Sequence, residues 1–202
     1  MDQDEIREME ELLRKRGSGE GDVAAIDGEI LKKFGKECTV MVSDLSSFSK
    51  LTHEQGIIHS LGLIAKAHQI AAPILKTLGG EVLTADPEML VVLFRKPMDA
   101  VMAARAVNRA FEENNAGATE NSKLAISLGI GHGKLLKVGD KIYGDQVNQA
   151  HRLGEDVTGK CEVKLTPEAY EGVKHLSSLQ FREAGQIQIG GLNVSTYELI
   201  FT

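Results

Sequence analysis

The chain has 202 residues, of which 42% are hydrophobic and 26% charged, a composition typical of a folded globular protein rather than of a disordered or collagen-like one. Lys and Arg number 23 against 29 for Asp and Glu, and the net charge of −6 argues against nucleic acid as a partner. Cys38 and Cys161 form no disulfide or metal-ligand pattern, and no apolar run approaches the ~20 residues that cross a bilayer. We therefore expect a cytoplasmic protein without a membrane span.

The first 21 residues predict an amphipathic helix followed by a linker. Apolar residues recur there at helical spacing among charged neighbours: Ile6, Met9, Leu12 and Leu13. The Gly-rich segment 17–22 is flexible in composition. We predict two units, this helix with its linker over 1–21 and one globular domain over 22–202. The apolar stripe predicts either a regulatory contact with a second copy or a sensor protein, or a helix that folds onto its own domain.

The next segment predicts the elements of one sheet. A helix capped by Asp22 comes first, and the long helix that follows the first strand stops at Gly79 and Gly80. The turn at Asp86 and Pro87 divides a hairpin. The predicted bounds are strand 38–44, helix 57–78, hairpin strands Glu81–Ala85 and Met89–Phe94, helix 100–111 and strand 124–131. This βαββαβ order predicts a ferredoxin-like sheet with helices on one face.

The remaining residues predict a C-terminal αβαββ extension, so the whole fold is expected to be α+β. The predicted bounds are helix 144–156, strand 161–165, helix 167–173 and strands 179–189 and 194–201. The first of these helices holds Val147, Ala150 and Leu153 inward. Asn148 and Arg152 are four residues apart, so their side chains share one helical face and can converge on a single ligand.

The string GIGHGK at 129–134 contains glycines whose role is ambiguous. It lacks the first Gly and the final Ser or Thr that the phosphate-binding P-loop motif requires. We predict instead that Gly131 and Gly133 allow a close backbone approach or a turn at the strand end.

The turn after the first strand has the residues of an anion and metal site. Asp44 ends the strand, and Leu45 with the four residues Ser46, Ser47, Phe48 and Ser49 follows it before the long helix. Free backbone N–H groups at such a turn suit a triphosphate, and Asp44 could hold a magnesium ion against it. The hairpin turn would bring Glu88, or in its place Asp86, beside Asp44 as a second carboxylate. The alternative is an ordinary helix cap with a solvated turn carboxylate.

Three segments together resemble the class III nucleotidyl cyclase catalytic domain, the adenylate and guanylate cyclase family. They are VSDLSSFSKL from Val42, GGEVL from Gly79 with VVLF ending at Phe94, and YGDQVNQAHRL from Tyr143. The most specific part, 144–152, is similar to the family's G-D-x-V-N-x-A-x-R helix. The resemblance covers residues 38–201 and implies head-to-tail dimers that cyclise ATP or GTP with Mg²⁺ or Mn²⁺ and release pyrophosphate.

The resemblance implies a role for each matching residue. Asp44 and the Leu45 carbonyl match metal ligands, and residues 46–49 match the phosphate-binding turn. Asn148 matches the residue that orients the ribose, and Arg152 matches the one that stabilises charge on the phosphate.

Several positions depart from the family pattern. Glu88 stands at the second metal-binding Asp, and Ser47 replaces a glycine. Thr84 replaces the base-recognising Lys, and Lys141 replaces its Asp or Thr partner. The segment 188–191, QIGG, stands where the family has a triphosphate-binding Lys before a Gly, so this positive charge is absent.

Three function classes therefore stay open. The chain is an active but atypical homodimeric cyclase, or a degenerate cyclase-like module that binds a nucleotide or only dimerises. In the third class it is one half of a heterodimer, lending Asn148 and Arg152 to a partner chain that supplies the metals and base contacts.

Overall fold

The computed structural model of the chain describes residues 3–19, 21–45, 48–85, 89–154 and 161–201. The helices in this part are α1 (Gln3–Ser18), α2 (Val23–Phe34), α3 (Phe48–Gln55), α4 (Ile57–Thr77), α5 (Pro97–Asn115), α6 (Asp145–Arg152) and α7 (Pro167–Glu171), with a 3₁₀ turn at Glu120–Ser122. The strands are β1 (Gly35–Leu45), β2 (Glu81–Ala85), β3 (Met89–Phe94), β4 (Ile126–Val138), β5 (Lys141–Tyr143), β6 (Val163–Leu165), β7 (Gln180–Ile189) and β8 (Leu192–Ile200).

The strands form one sheet in the order β2-β3-β1-β4-β6-β8-β7, with β5 paired to the outer half of β4. All neighbours are antiparallel except β4 and β6, which are parallel. The predicted α+β class, the βαββαβ core and the αβαββ extension are confirmed. Both predicted hairpin strands have the bounds that the structure gives them.

Helices cover both faces of this sheet. Met41 and Leu45 of β1 belong to the larger apolar core, which packs under α4, α5 and α7. Val40 and Val42 alternate with them and face the other way, into a smaller cluster under α6. The prediction of helices on one face holds for α4 and α5, and α6 covers the opposite face.

Strand β4 is longer than the sequence predicts. We predicted an end at residue 131, yet pairing with β1 continues through Gly131 opposite Val40 and Gly133 opposite Cys38. The alternative of a turn at this strand end is therefore wrong, because the glycines stay in the ladder. Their missing side chains create space above the strand instead, and α6 fills it.

The N-terminal helix α1 packs on its own chain. Most of its apolar stripe joins residues of α2 and the end of β4 in one buried cluster, whereas Leu13 is exposed. The cluster contains Met9, Leu12, Ile30, Phe34 and Val138. Asp22 caps α2 as predicted, since its carboxylate accepts from the Ala24 N–H. The carboxylate of Glu5 accepts from the Gly139 N–H at 2.9 Å, which ties α1 to the turn between β4 and β5.

Among the described helices, none combines the length and the apolar character that a membrane span requires.

Candidate active site

The helix α6 carries the most specific part of the predicted site. It begins after Gly144, whose φ of 153° suits only glycine and whose Cβ would stand 3.2 Å from the Lys134 carbonyl oxygen. Three apolar side chains of the helix segment are buried as predicted: Val147, Ala150 and Leu153. Asn148 and Arg152 are exposed one turn apart, so α6 presents an amide and a guanidinium on one outward face.

The glycines of β4 form the surface on which α6 rests. A Cβ on Gly129 would lie 2.2 Å from the Ala150 carbonyl oxygen, and one on Gly131 would lie 2.5 Å from the Gln146 carbonyl oxygen. The helix backbone therefore contacts the strand backbone directly. The predicted close approach is confirmed, and it belongs to the helix that bears Asn148 and Arg152.

Gln146 is a buried polar residue of this helix that the sequence did not single out. Its side-chain oxygen accepts two hydrogen bonds, from the His132 N–H at 3.1 Å and from the Thr166 hydroxyl at 2.9 Å. Thr166 is also the N-cap of α7 and accepts from the Ala169 N–H. A Gln in the first turn of a helix gives no sequence signal of burial, because this residue type is usually exposed.

Asp44 lies half-buried on the same sheet face as α6. It lies two residues after Val42 and four after Val40, so its side chain faces the same way as theirs, toward the cluster under that helix. The helix runs along β1 in the same direction, because Gln146 lies over the strand neighbour of Val40 and a Cβ on Gly154 would lie 2.8 Å from the Val42 carbonyl oxygen. The C-terminal end of α6 and the Asp44 end of β1 therefore share one end of this face.

The other predicted metal ligands are only partly described. Leu45 is the last residue of β1, and its side chain is buried in the larger core. Strand β3 begins at Met89, the register partner of Asp44. Glu88 and the competing Asp86 lie outside the described residues. In the described ranges, no group of three or more His, Cys, Asp and Glu side chains could hold a metal ion.

The predicted nucleotide-binding residues fall on three elements. Phe48 and Ser49 begin α3, and only their backbone is described. Ser46 and Ser47 lie outside the described residues. The backbone of Thr84 pairs with Val91 directly after a bulge in β2, and its side chain is likewise not described. Lys141 is exposed at the start of β5, two residues before the Tyr143 that leads into α6.

A groove of about 660 Å³ opens beside the N-terminus of α6. Its lining comes from the end of α2, the start of β1, the outer half of β4 and the connection from β5 to α6.

Cys38 packs at the edge of the cluster under α6, where burial raises the pKa of its thiol. The thiol form is therefore favoured at neutral pH, which argues against a nucleophilic role for this residue.

Solved structures of cyclases share this architecture. An adenylate/guanylate cyclase/hydrolase from Silicibacter pomeroyi superposes with a TM-score of 0.71 at 16% identity, over 82% of this chain and 97% of that one. The adenylyl cyclase CyaB from P. aeruginosa gives 0.71 at 22% identity, over 83% and 95%. The chain has the fold of a class III nucleotidyl cyclase catalytic domain. The guanylate cyclase domain of RhGC from Catenaria anguillulae, solved in complex with GTP, gives 0.69 at 16% identity, over 82% and 96%.

Two curated proteins match the cyclase-fold chain over part of their length. The serine/threonine-protein kinase pkn2 of Myxococcus xanthus is 23% identical over 174 residues, which is 85% of this chain and 20% of that protein. The proposed adenylate cyclase 3 of Rhizobium meliloti (strain 1021) is 22% identical over 151 residues, or 74% of this chain and 25% of that protein. The chain thus spans a fifth to a quarter of these relatives. No family model matches it.

Proposed function

We propose that the chain converts a purine nucleoside triphosphate, ATP or GTP, into a cyclic nucleotide and pyrophosphate, as a dimer of two copies. The observation that carries this proposal is the two-sided character of α6. Its apolar side is buried against β1 and β4, and its other side exposes Asn148 and Arg152 together. In a packed domain, an amide and a guanidinium held on one rigid outward face suit recognition of a sugar and a phosphate.

In the proposed reaction the ribose 3′-oxygen attacks the α-phosphorus, the 3′-hydroxyl proton is lost, and the bond to pyrophosphate breaks. Asn148 would hold the ribose so that the 3′-oxygen faces the phosphorus. Arg152 would stabilise the charge that develops on the phosphate oxygens. Positioning and fixed positive charge are the main protein contributions to phosphoryl transfer.

Mg²⁺ or Mn²⁺ would be held by Asp44, the Leu45 carbonyl and Glu88, and would neutralise charge on the phosphates. The half-buried position of Asp44, with β3 beginning opposite it, supports this donor set because carboxylate and carbonyl oxygens suit hard cations. Residues 46–49 would contact the phosphates, and Thr84 with Lys141 would face the base. In the dimer, these groups of one copy would meet Asn148 and Arg152 of the other.

A second candidate function is favoured by the departures from the family pattern. Lys141 places an exposed positive charge where the family has Asp or Thr, and the segment 188–191 at the end of β7 lacks the Lys that the family has before a Gly. A module with these changes would bind a nucleotide without turnover, or would only dimerise. In a heterodimer it would regulate a second cyclase-type chain.

The deciding experiment measures cyclic product from ATP and from GTP with Mg²⁺ or Mn²⁺. We expect Asn148→Ala and Arg152→Ala each to lower the rate by ~100-fold or more. Arg109→Ala is the matched control, since this exposed Arg pairs with Glu113 on α5, beneath the opposite face of the sheet. Undiminished product from Arg152→Ala would refute the assignment.

Thermal unfolding separates the remaining outcomes. A nucleotide that raises Tm without product formation would support the binding module. A rise in Tm that requires a second cyclase-type chain would support the heterodimer.

A further inference from the structure

The surface beneath α6 fixes the height of the helix but not its position along the sheet. Gly129, Gly131 and Gly133 present backbone without side chains, so the helix has no ridge and groove to lock into at these points. The buried side chains of Val147 and Ala150 help to hold the helix, and directional hydrogen bonds add a specific restraint against sliding or rotation. The two hydrogen bonds to Gln146 are such a restraint.

These bonds connect three elements through one atom. The side-chain oxygen of Gln146 accepts from the backbone of β4 at His132 and from the hydroxyl of Thr166 at the start of α7. Gln146 is 8% exposed and Thr166 is fully buried, so water does not compete for these donors. Both donor sites are themselves held, because the His132 ring nitrogen Nδ1 is 2.9 Å from the Thr39 hydroxyl and the Thr166 N–H donates to the Ile130 carbonyl.

We propose that Gln146 is a positioning residue, whose side-chain oxygen sets the axial position of α6 and thereby the placement of Asn148 and Arg152. The expected effect of Gln146 on catalysis rests on the proposed function, whereas its effect on the position of α6 does not. Asn148 follows two residues after Gln146 on the same short helix, so a shift of the helix moves it directly. Displacements of about 1 Å are enough to lower a rate ~100-fold.

The helix contains a matched control for this proposal. Gln149 has the same side chain three residues later, and its side-chain oxygen is buried without a hydrogen-bond partner in the described part of the chain. Replacement of Gln149 by Met therefore removes no bond from this atom. Replacement of Gln146 by Met leaves two buried donors unpaired, whereas Gln146→Glu keeps an acceptor oxygen for both.

The experiment compares Gln146→Met, Gln146→Glu and Gln149→Met in the full chain. We expect Gln146→Met to lower Tm by about 5 °C or more and to speed amide hydrogen exchange in α6 more than in α5. Its kcat should fall ~10- to 100-fold while KM changes less than ~3-fold, because the misplaced groups act in the transition state. Gln146→Glu should restore exchange protection while its buried carboxyl is protonated and lose it as pH rises, because burial disfavours the charged form. Gln149→Met should keep at least the exchange protection and the kcat of the unmodified chain.

Two results would overturn the proposal. One is a Gln146→Met chain that matches Gln149→Met in exchange and in kinetics. The other is a Gln146→Glu chain that loses α6 protection as fully as Gln146→Met even at a pH where its carboxyl is protonated. If Gln146→Met fails to fold, Thr166→Val removes one donor and tests the same bond, with Thr166→Ser as the variant that should retain protection. If the unmodified chain forms no cyclic product, the proposed function fails, and the exchange comparison still decides the role of Gln146.

Discussion

Replacement of Gly129 by Ala tests the contact on which the candidate site is built. The added Cβ would lie 2.2 Å from the Ala150 carbonyl oxygen and 2.5 Å from the Gly154 nitrogen, whereas ordinary contact begins near 3.4 Å. Both neighbours are backbone atoms, so no side-chain rotation relieves the clash. The C-terminal half of α6 and the strand beneath it must separate by about 1 Å, since 2.2 Å is 0.8 Å short of a tight contact at 3.0 Å and 1.2 Å short of an ordinary one at 3.4 Å.

This displacement has two measurable consequences. Overpacking of this kind costs about 1 to 3 kcal/mol of unfolding free energy, which urea denaturation followed by circular dichroism would measure. The separation also carries Arg152 outward, and for the proposed reaction a displacement of about 1 Å should lower the rate of cyclic nucleotide formation by ~100-fold. Both effects come from the addition of one methyl group that contacts no substrate.

Gly62→Ala is the matched control. Gly62 lies exposed within α4 and has nothing within 4 Å of an added Cβ. Ala at an exposed helical position should raise the unfolding free energy by about 0.5 to 1 kcal/mol. If Gly129→Ala were as stable and active as Gly62→Ala, the packing of α6 against β4 would not determine the site, and the reasoning would be refuted.

Three further predictions concern residues away from α6. Asn108 is 4% exposed and both polar atoms of its amide lack a partner among the described residues, so Asn108→Leu should raise the unfolding free energy by about 1 to 3 kcal/mol in urea denaturation; a loss of stability would contradict this. Burial lowers the pKa of His68 below 6.5, so protonation of this residue favours the unfolded chain. Tm should therefore fall as pH decreases below 6.5, and it should fall less steeply in His68→Asn. An equal dependence of Tm on pH in the two chains would contradict this prediction. Deletion of residues 1–21 exposes Ile30 and Phe34 and should lower Tm; unchanged oligomeric state and activity would remove a regulatory role for α1.

Much of the fold could be predicted because its signals are local. Asp86 and Pro87 separate two apolar runs, and the bounds of β2 and β3 follow directly from them. Gly79 ends the predicted long helix, and α4 stops at Thr77, just before it. In each case a residue with a special backbone preference lies beside a periodic apolar pattern, so one segment contains the whole signal.

The misplaced end of β4 has a non-local cause. A glycine in a strand favours either a turn or a close neighbour, and the choice depends on an element that arrives later in the chain. Gly131 stays in the ladder because Gln146 lies directly above it. The contact of α1 with Val138 is non-local in the same way, since an apolar stripe does not specify which surface will cover it.

The candidate site divides into residues that sequence patterns can find and residues that they cannot. Asn148 and Arg152 were predicted to share a face because helical periodicity alone fixes their relation, and the structure exposes both. Gln146 was missed because its importance comes from two donors on other elements, His132 and Thr166. The groups that would react lie on one side of α6, and the groups that hold it lie on the other. The supporting side therefore holds α6 through packing together with the Gln146 hydrogen bonds, whereas substitutions on the exposed side are expected to cost little stability.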